Sequence, residues 1–384
     1  MNGLIIGGGI GGLAAAIALR RVGVQARVFE RAASVEEVGA GLSLWPNGLR
    51  ALDAMGLGNA VRARGVRDME SALRTWTGRV LVAANATELQ ALLGDVSLVI
   101  HRGELLGLLR RQLPADALVC GAALVDVSEN ERGINATFAD GSTAQADFLI
   151  GADGINSVVR ARLFGEAPPD YAGYTAWRGV ARFDHARLLP GVSLGRGSQF
   201  GQVPLADGRV YWFATQNSPP RRARPEGGWK KALTELFGGW HAPIPQLLAA
   251  TDELAILHND IVDRPVRTSW GAGRVMLLGD AAHPMTPNLG QGANQALEDA
   301  QAMARAVAGE TSETASESAI ARIRGQYERE RLAAANAVVV QSRRVGRVMQ
   351  LTNPAACWLR DRLLRTRFAH RAQMSQLQRL VAAA

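Results

Sequence analysis

Residues 3–31 read GLIIGGGIGGLAAAIALRRVGVQARVFER. The apolar run at 4–6 is short and unbroken, as in a strand covered on both faces. Residues 13–22 carry apolar side chains at helical spacing among good helix formers, and 25–30 return to strand composition. Between strand and helix lie Gly7, Gly9 and Gly12, in the spacing G-x-G-x-x-G. In a βαβ unit that spacing has a mechanism. Gly7 permits the tight turn, Gly9 lets backbone approach a pyrophosphate, and Gly12 lets helix and strand pack closely. The helix start offers phosphate its unpaired N–H groups and the positive end of the dipole. Glu30 closes the second strand, where a carboxylate accepts hydrogen bonds from ribose hydroxyls. An acid there favours an unphosphorylated ribose, as in NAD or FAD. The plain alternative is a glycine turn without a ligand.

Outward from this unit, helices are expected over 47–55 and 102–113 and strands over 117–127 and 133–138. Asp140-Gly141 marks a hairpin into 143–153. From about Tyr171 the texture changes to aromatic and β-branched strands: YTAWRGVARF (174–183), GSQFGQVPL (197–205) and RVYWFATQ (209–216). Asp207-Gly208 joins the last two as a hairpin. NSPPRRARPEGG (217–228) reads as a loop. GRVMLLGDAAHP (273–284) is a buried strand ending in a polar turn, and helices follow over 292–307 and 320–348, with a polar loop at 309–318. The βα units at both ends with antiparallel strands between them predict an α/β chain. Its plan is a Rossmann-like nucleotide-binding domain, an inserted mixed or antiparallel β-sheet substrate domain, and C-terminal helices. The expected divisions are nucleotide-binding 1–70, substrate-domain strands 71–100, nucleotide-binding 101–170, substrate sheet 171–268, nucleotide-binding 269–310, and C-terminal helices 311–384.

With 384 residues, 47% of them hydrophobic, the chain can bury a large core. Cys120 and Cys357 stand far apart and form no disulfide framework or metal cluster. His101, His185, His241, His258 and His370 are equally scattered, so no metal site is expected. The net charge of +8 favours anionic partners such as phosphorylated cofactors, carboxylates or acidic lipids. Much of it is C-terminal: Arg343, Arg344, Arg347, Arg360, Arg362, Arg365, Arg367, Arg371 and Arg379 face one nearby acid, Asp361. These residues read as a solvated helix face packed on the nucleotide domain, with a membrane-surface helix as the sharper alternative. No apolar run reaches the length of a membrane span, and 13–19 lack the basic residues that precede a signal core. A soluble cytoplasmic protein is expected, monomer or homodimer, with small-molecule rather than nucleic-acid partners.

Two later stretches separate NAD from FAD. DFLIGADGINSVVR (147–160) carries Asp153-Gly154 and Arg160. GRVMLLGDAAHPMTPNLGQGANQALEDA (273–300) ends a strand at Gly279-Asp280, and its loop, with Pro284, Pro287, Gly290 and Gly292, leads into a helix. Asp280 is placed to accept bonds from a polyol such as a ribityl chain, and the helix start offers N–H groups to a partly anionic ring edge. The three stretches, in this order, resemble the class A flavoprotein monooxygenases, the para-hydroxybenzoate-hydroxylase-like aromatic hydroxylases, over nearly the whole chain. That resemblance implies FAD, NADH or NADPH as a transient visitor at Asp153-Gly154, and O2. It implies that Glu30 and Arg31 hold the adenosine ribose, that Ser43 and Arg102 lie along the cofactor, and that Val125 meets the adenine through its backbone. Asp280 then serves the ribityl or phosphate region, while Gly290, Gly292, Ala293 and Asn294 surround the pyrimidine edge of the flavin.

Residues 30–52 and 101–106 look like the urate hydroxylases and 3-hydroxybenzoate 6-hydroxylases. LHNDI (257–261), SWGAGRV (269–275), 279–293 and the tail look like the alkylquinolone 3-monooxygenases and the zeaxanthin-epoxidase branch. The urate pattern breaks at Gln199 and Asn288, aligned with an arginine and an aspartate, and keeps Tyr211. Urate is therefore disfavoured, and a substrate that is neutral or lipophilic, or held by different groups, is expected. The implied activity is NAD(P)H-dependent hydroxylation of a phenolic or quinolone-like compound through C4a-hydroperoxyflavin. The alternatives are epoxidation of a lipophilic alkene, another flavin reductase or oxidase, and flavin binding without catalysis. Gln199, Phe200, Tyr211, Phe213 and Asn288 are the expected substrate contacts, though strand alternation leaves open which face points inward. Tyr211 is the candidate to orient or deprotonate substrate, the alternative being a core tyrosine. His283 is a candidate base or a support for the cofactor turn, and Pro287 is expected to shape the loop with its carbonyl toward the substrate gap.

Overall fold

The computed structural model describes residues 1–35, 40–67, 70–95, 97–130, 133–310, 315–366, 371, 374, 375, 377, 378 and 381. Arg367, Arg379, parts of 30–41 and 309–318, and most of the chain after 366 lie outside the described residues.

Two sheets carry the molecule. The first has six strands, in the order Gly271–Ala272, Val275–Leu277, Phe148–Gly151, Asn2–Ile6, Gln25–Glu30 and Leu118–Cys120. All its pairings are parallel except the first. Asn2–Ile6 lies near the middle and is buried from Gly3 onward, which is why its sequence is an unbroken apolar run. The chain leaves that strand through Gly7 at φ +110°, a region closed to most side chains, and enters the helix Ile10–Arg21. A Cβ on Gly12 would stand 1.9 Å from the Gly7 carbonyl oxygen, so helix and turn meet at that glycine. The helix Gly292–Ala308 packs on Ile10–Arg21, and the long helix Glu317–Met349 packs on Gly292–Ala308.

The second sheet has seven strands, in the order Leu257–Asp263, Asp170–Arg182, Arg209–Asn217, Ser198–Pro204, Gly191–Leu194, Glu70–Thr75 and Val80–Asn85. Its pairings are antiparallel apart from Gly191–Leu194 beside Glu70–Thr75. One face packs on the helices Gly228–Phe237 and Ile244–Ala250, around a core of Trp177, Phe200, Trp212, Trp229 and Phe237. The predicted layout, an α/β nucleotide-binding sheet with an inserted β-sheet and C-terminal helices, is the fold observed.

Two expectations change. The stretch 117–127 is two strands, because Gly121 at φ +77° turns the chain between them. Leu118–Cys120 joins the parallel sheet beside Glu30, while Leu124–Asn130 joins a three-stranded antiparallel layer with Gly133–Phe138 and Thr143–Ala146. The stretch 71–100 is not all substrate sheet. Strands Glu70–Thr75 and Val80–Asn85 belong to it, but Leu98–His101 pairs with Gly41–Leu44 in a separate small sheet.

Candidate active site

A cavity of about 690 Å³ lies between the two sheets. Its floor is the C-terminal end of the parallel sheet: Gly9 and Gly11 of the glycine turn, Ala152 and Gly154, and Gly279-Asp280. One wall is Gly41–Leu44 with Ser43, joined by Arg102. Another is the loop and helix start with Pro287, Asn288, Gly290, Gly292 and Ala293. The roof is the second sheet. Strand alternation decides which of its side chains reach the cavity. Trp212 and Ala214 enter the helix-covered core, so Tyr211, Phe213 and Thr215 point to the cavity. By the same parity Tyr174, Ala176 and Arg178 come from one neighbouring strand and Gln199 from the other.

Phe200 is corrected by this geometry. It is fully buried on the far face, stacked on Trp212 at 5.4 Å and edge-on to Phe237 at 5.6 Å. It belongs to the domain core and not to a substrate wall. Arg178 is the charged cavity residue that sequence reasoning missed, along with Tyr174, Thr215, Val192, Leu257 and Met285. Its signal was its even spacing from Tyr174 and Ala176, which gains meaning once the register pairs Arg178 with Phe213. Burial raises the Tyr211 hydroxyl above the usual phenol range, and the nearby positive charge of Arg178 offsets this only in part. Gln199 is nearly buried, and its Nε2 has no hydrogen-bond partner. Other polar groups of the roof are already engaged. The Tyr174 hydroxyl donates to Asn288 Oδ1 at 2.8 Å, and Gln350 Nε2 donates to Thr215 Oγ1 at 2.8 Å.

The remaining expected residues fall into two groups. Asp280 opens onto the cavity and is exposed to it. The protein packed around it raises its carboxyl above the ordinary aspartate range, against the pull of His283 and Arg102. Pro287 also lines the cavity, but its carbonyl accepts from Gly290 N–H at 3.0 Å, so it closes the loop's own turn. Gly7, Gly12, Glu30, Asp153, His283 and Asn294 stand behind the cavity wall. The Glu30 carboxylate accepts from Gly8 N–H at 2.6 Å and Ala32 N–H at 2.8 Å, which fixes the glycine turn to the end of the second strand. Arg31, beside it, is exposed. Asp153 accepts from Val158 N–H at 2.7 Å. Asn294 is fully buried and ties three backbones together, accepting from Trp45 N–H and donating to the Ser43 and Gly290 carbonyls. Val125 lies away from this cavity, on a second one described below.

His283 is corrected as a base. Its side chain is fully buried, with Nε2 2.6 Å from Asp299 Oδ2. Asp299 also accepts from Gly279 N–H at 3.0 Å and Arg331 Nε at 2.9 Å. Burial alone would raise the Asp299 carboxyl, but the charges and hydrogen bonds of His283 and Arg331 overcome it and hold the pKa at about 2. A carboxylate that stays ionised keeps a proton on His283 Nε2. The histidine therefore braces the Gly279-Asp280 turn against the two helices behind it. Among the described residues, no three His, Cys, Asp or Glu side chains gather as a metal site.

The second cavity, of about 820 Å³, lies across the Asp153-Gly154 loop from the first. It is lined by Val125, Asn156, Arg160, Arg162 and Arg264 among others. Arg160 is nearly buried, and one of its guanidinium nitrogens has no partner. Burial, with the positive charges of Arg264 and Arg267, lowers its pKa to about 10.

Comparison with known proteins turns this geometry into an identity. The FAD binding domain family matches residues 1–342. The chain is 42% identical over 369 residues to aurachin C monooxygenase/isomerase from Stigmatella aurantiaca, covering 94% of this chain and 93% of that one. It is 35% identical over 371 residues to 3-amino-4-hydroxybenzoate 2-monooxygenase from Streptomyces cremeus, covering 94% and 91%. The crystal structure of Klebsiella pneumoniae HpxO complexed with FAD and uric acid superposes with a TM-score of 0.92 at 29% identity, covering 100% of this chain and 97% of that one. The chain belongs to the class A flavoprotein monooxygenases.

The monooxygenase's own residues fit FAD. Two helices, Ile10–Arg21 and Gly292–Ala308, begin at the cavity, and neither has a side-chain cap or an acid in its first turn. Their first N–H groups and positive dipole ends thus face the cavity uncompensated. A Cβ on Gly9 would meet nothing within 4 Å, so the turn leaves room for a ligand to lie on its backbone. The cavity volume is within the range of cofactor sites.

Proposed function

We propose that this monooxygenase hydroxylates an electron-rich aromatic or heteroaromatic ring, phenolic or quinolone-like, with NADH or NADPH as reductant and O2 as oxygen source. Bound FAD supplies the electron storage and oxygen activation. The glycine turn and the N-terminus of Ile10–Arg21 would hold its diphosphate, Asp280 its polyol, and the backbone at Gly290, Gly292 and Ala293 its ring edge. Glu30 and Asn294 would act by fixing those backbones.

The observation that carries the reading is the chemistry of the roof. Most of its polar groups are paired within the protein, Arg178 among them through Asn259 Oδ1 at 3.1 Å; Gln199 Nε2 is unpartnered, and the Arg178 charge lies beside the Tyr211 hydroxyl. This set suits a flat ring bearing an acidic O–H or N–H. Burial raises the Tyr211 pKa above the ordinary phenol value, which favours the hydroxyl as a hydrogen-bond donor to substrate over a role as base. Arg178 favours the ionised ring oxygen, and ionisation enriches the ring carbons that accept electrophilic oxygen. Phe213, Val192, Leu257 and Met285 exclude water. The related names support the substrate class, carrying an aminohydroxybenzoate, aurachin C and uric acid. For the reductant, the second cavity offers the underpaired Arg160 guanidinium to the phosphates of a nicotinamide dinucleotide.

The test is rapid mixing of the oxidised holoenzyme with NADH or NADPH across a panel of phenols and 4-hydroxyquinolines. At least one compound should accelerate flavin reduction, and its product should carry oxygen from isotopically labelled O2. Hydrogen peroxide as the sole product throughout the panel would overturn the reading.

A further inference from the structure

The helix Pro354–Leu364 is inside out. Its inner face carries Cys357 and Arg360, both buried. Arg360 pairs with Asp361 at 2.9 Å and donates to the Met349 and Gly195 carbonyls. Its outer face carries Ala355, Trp358, Leu359, Arg362 and Leu363, the spacing of one helical stripe. Trp358 is 62% exposed, Leu359 51% and Leu363 54%. The inner face has a structural role, because it lies on Val80–Asn85, the edge strand of the seven-stranded sheet. Neither the fold nor the chemistry described above uses the outer face.

The exposed charges of residues 344–365 are all positive. Arg362 stands 5.5 Å over the Trp358 ring, Arg365 follows it, and Arg344 and Arg347 are exposed on the last turns of Glu317–Met349. Asp361 is the one acid between residues 340 and 366, and Arg360 already holds it.

We propose that this face docks the enzyme on an anionic bilayer surface, with Trp358, Leu359 and Leu363 in the interfacial layer and the arginines on lipid phosphates. Charge decides between occupants. A second copy laid on the same face about a two-fold axis would bring like guanidiniums together, whereas an anionic lipid surface makes each of them favourable. The position is consistent with this use. The turn leading into the helix holds Gln350, which bonds Thr215 in the cavity roof, and Gly346, one turn earlier, rests against Asn288. The helix that carries the docking face thus follows directly on a segment that touches the cavity roof and loop.

Flotation of the full-length holoenzyme with vesicles tests the proposal. Binding to phosphatidylglycerol-containing vesicles is expected, weakening as salt rises, with little binding to pure phosphatidylcholine. Leu359→Glu with Leu363→Glu should abolish it. Arg362→Gln with Arg365→Gln should weaken it roughly thirtyfold. Both variants should keep their FAD. Equal binding of the wild type to the two vesicle types, or unchanged binding by the arginine variant, would overturn the proposal. A dimer in light scattering that these substitutions split would assign the face to a second copy instead.

Discussion

Gly9 and Gly12 are three residues apart and answer to different demands. Gly12 is required by the fold, since a Cβ there would stand 1.9 Å from the Gly7 carbonyl oxygen. The fold does not require Gly9, since a Cβ there meets nothing within 4 Å; the proposed diphosphate is what would require it. Gly12→Ala should therefore lower the melting temperature sharply or leave the chain insoluble. Gly9→Ala should melt like the wild type once both are stripped of FAD, yet bind FAD at least about tenfold more weakly, as read by flavin fluorescence. Equal FAD affinity in Gly9→Ala would place the diphosphate elsewhere. The spacing of these glycines was legible in the sequence because the signal is local. A supporting role for His283 was one of the two readings the sequence allowed; its partner Asp299, and the Gly8 N–H that Glu30 holds, were not legible, because they reach these side chains only through the helix packing and the turn.

At the scale of the element, a strand's period of two makes neighbouring residues opposites. Aromatic residues crowd Ser198–Pro204 and Arg209–Asn217, and composition alone puts Phe200, Tyr211, Trp212 and Phe213 in one class. Register separates them. Phe200 pairs with Ala214 and faces the helices, while Tyr211 and Phe213 face the cavity. Arg178 could be recognised only through the same register. Phe200→Ala should cost about 3–5 kcal/mol of stability in denaturant titration and leave the substrate dissociation constant near that of the wild type. Tyr211→Phe should leave stability nearly unchanged and lower kcat/KM for the aromatic substrate roughly tenfold, with more NAD(P)H lost to peroxide. The reverse pattern would mean that the two faces had been exchanged. The strands themselves were legible from β-branched and aromatic composition. Their facing was not, because it depends on which side the helices Gly228–Phe237 and Ile244–Ala250 cover.

At the scale of the molecule, one loop separates two chambers. Ala152 and Gly154 line the first cavity, and Asn156, Ser157, Val158, Arg160, Ala161 and Arg162 line the second. In the proposed reading the second chamber would hold only the phosphates of the dinucleotide, and the nicotinamide itself would have to enter the first cavity to touch the flavin. The second chamber is electrostatically tense. Burial and the positive charges of Arg264 and Arg267 lower the Arg160 pKa to about 10, opposed only in part by Asp153, and the guanidinium stays charged at neutral pH. A dianionic diphosphate would supply the missing counter-charge at the unpartnered nitrogen. Arg160→Gln should therefore raise the KM for NADH or NADPH about tenfold, with FAD content and aromatic-substrate affinity close to the wild type. It should also flatten the rise of that KM with ionic strength. An unchanged KM with an unchanged salt slope would remove the second chamber from the reductive half-reaction, while leaving the oxygenation chemistry at Tyr211 and Arg178 to be judged on its own test.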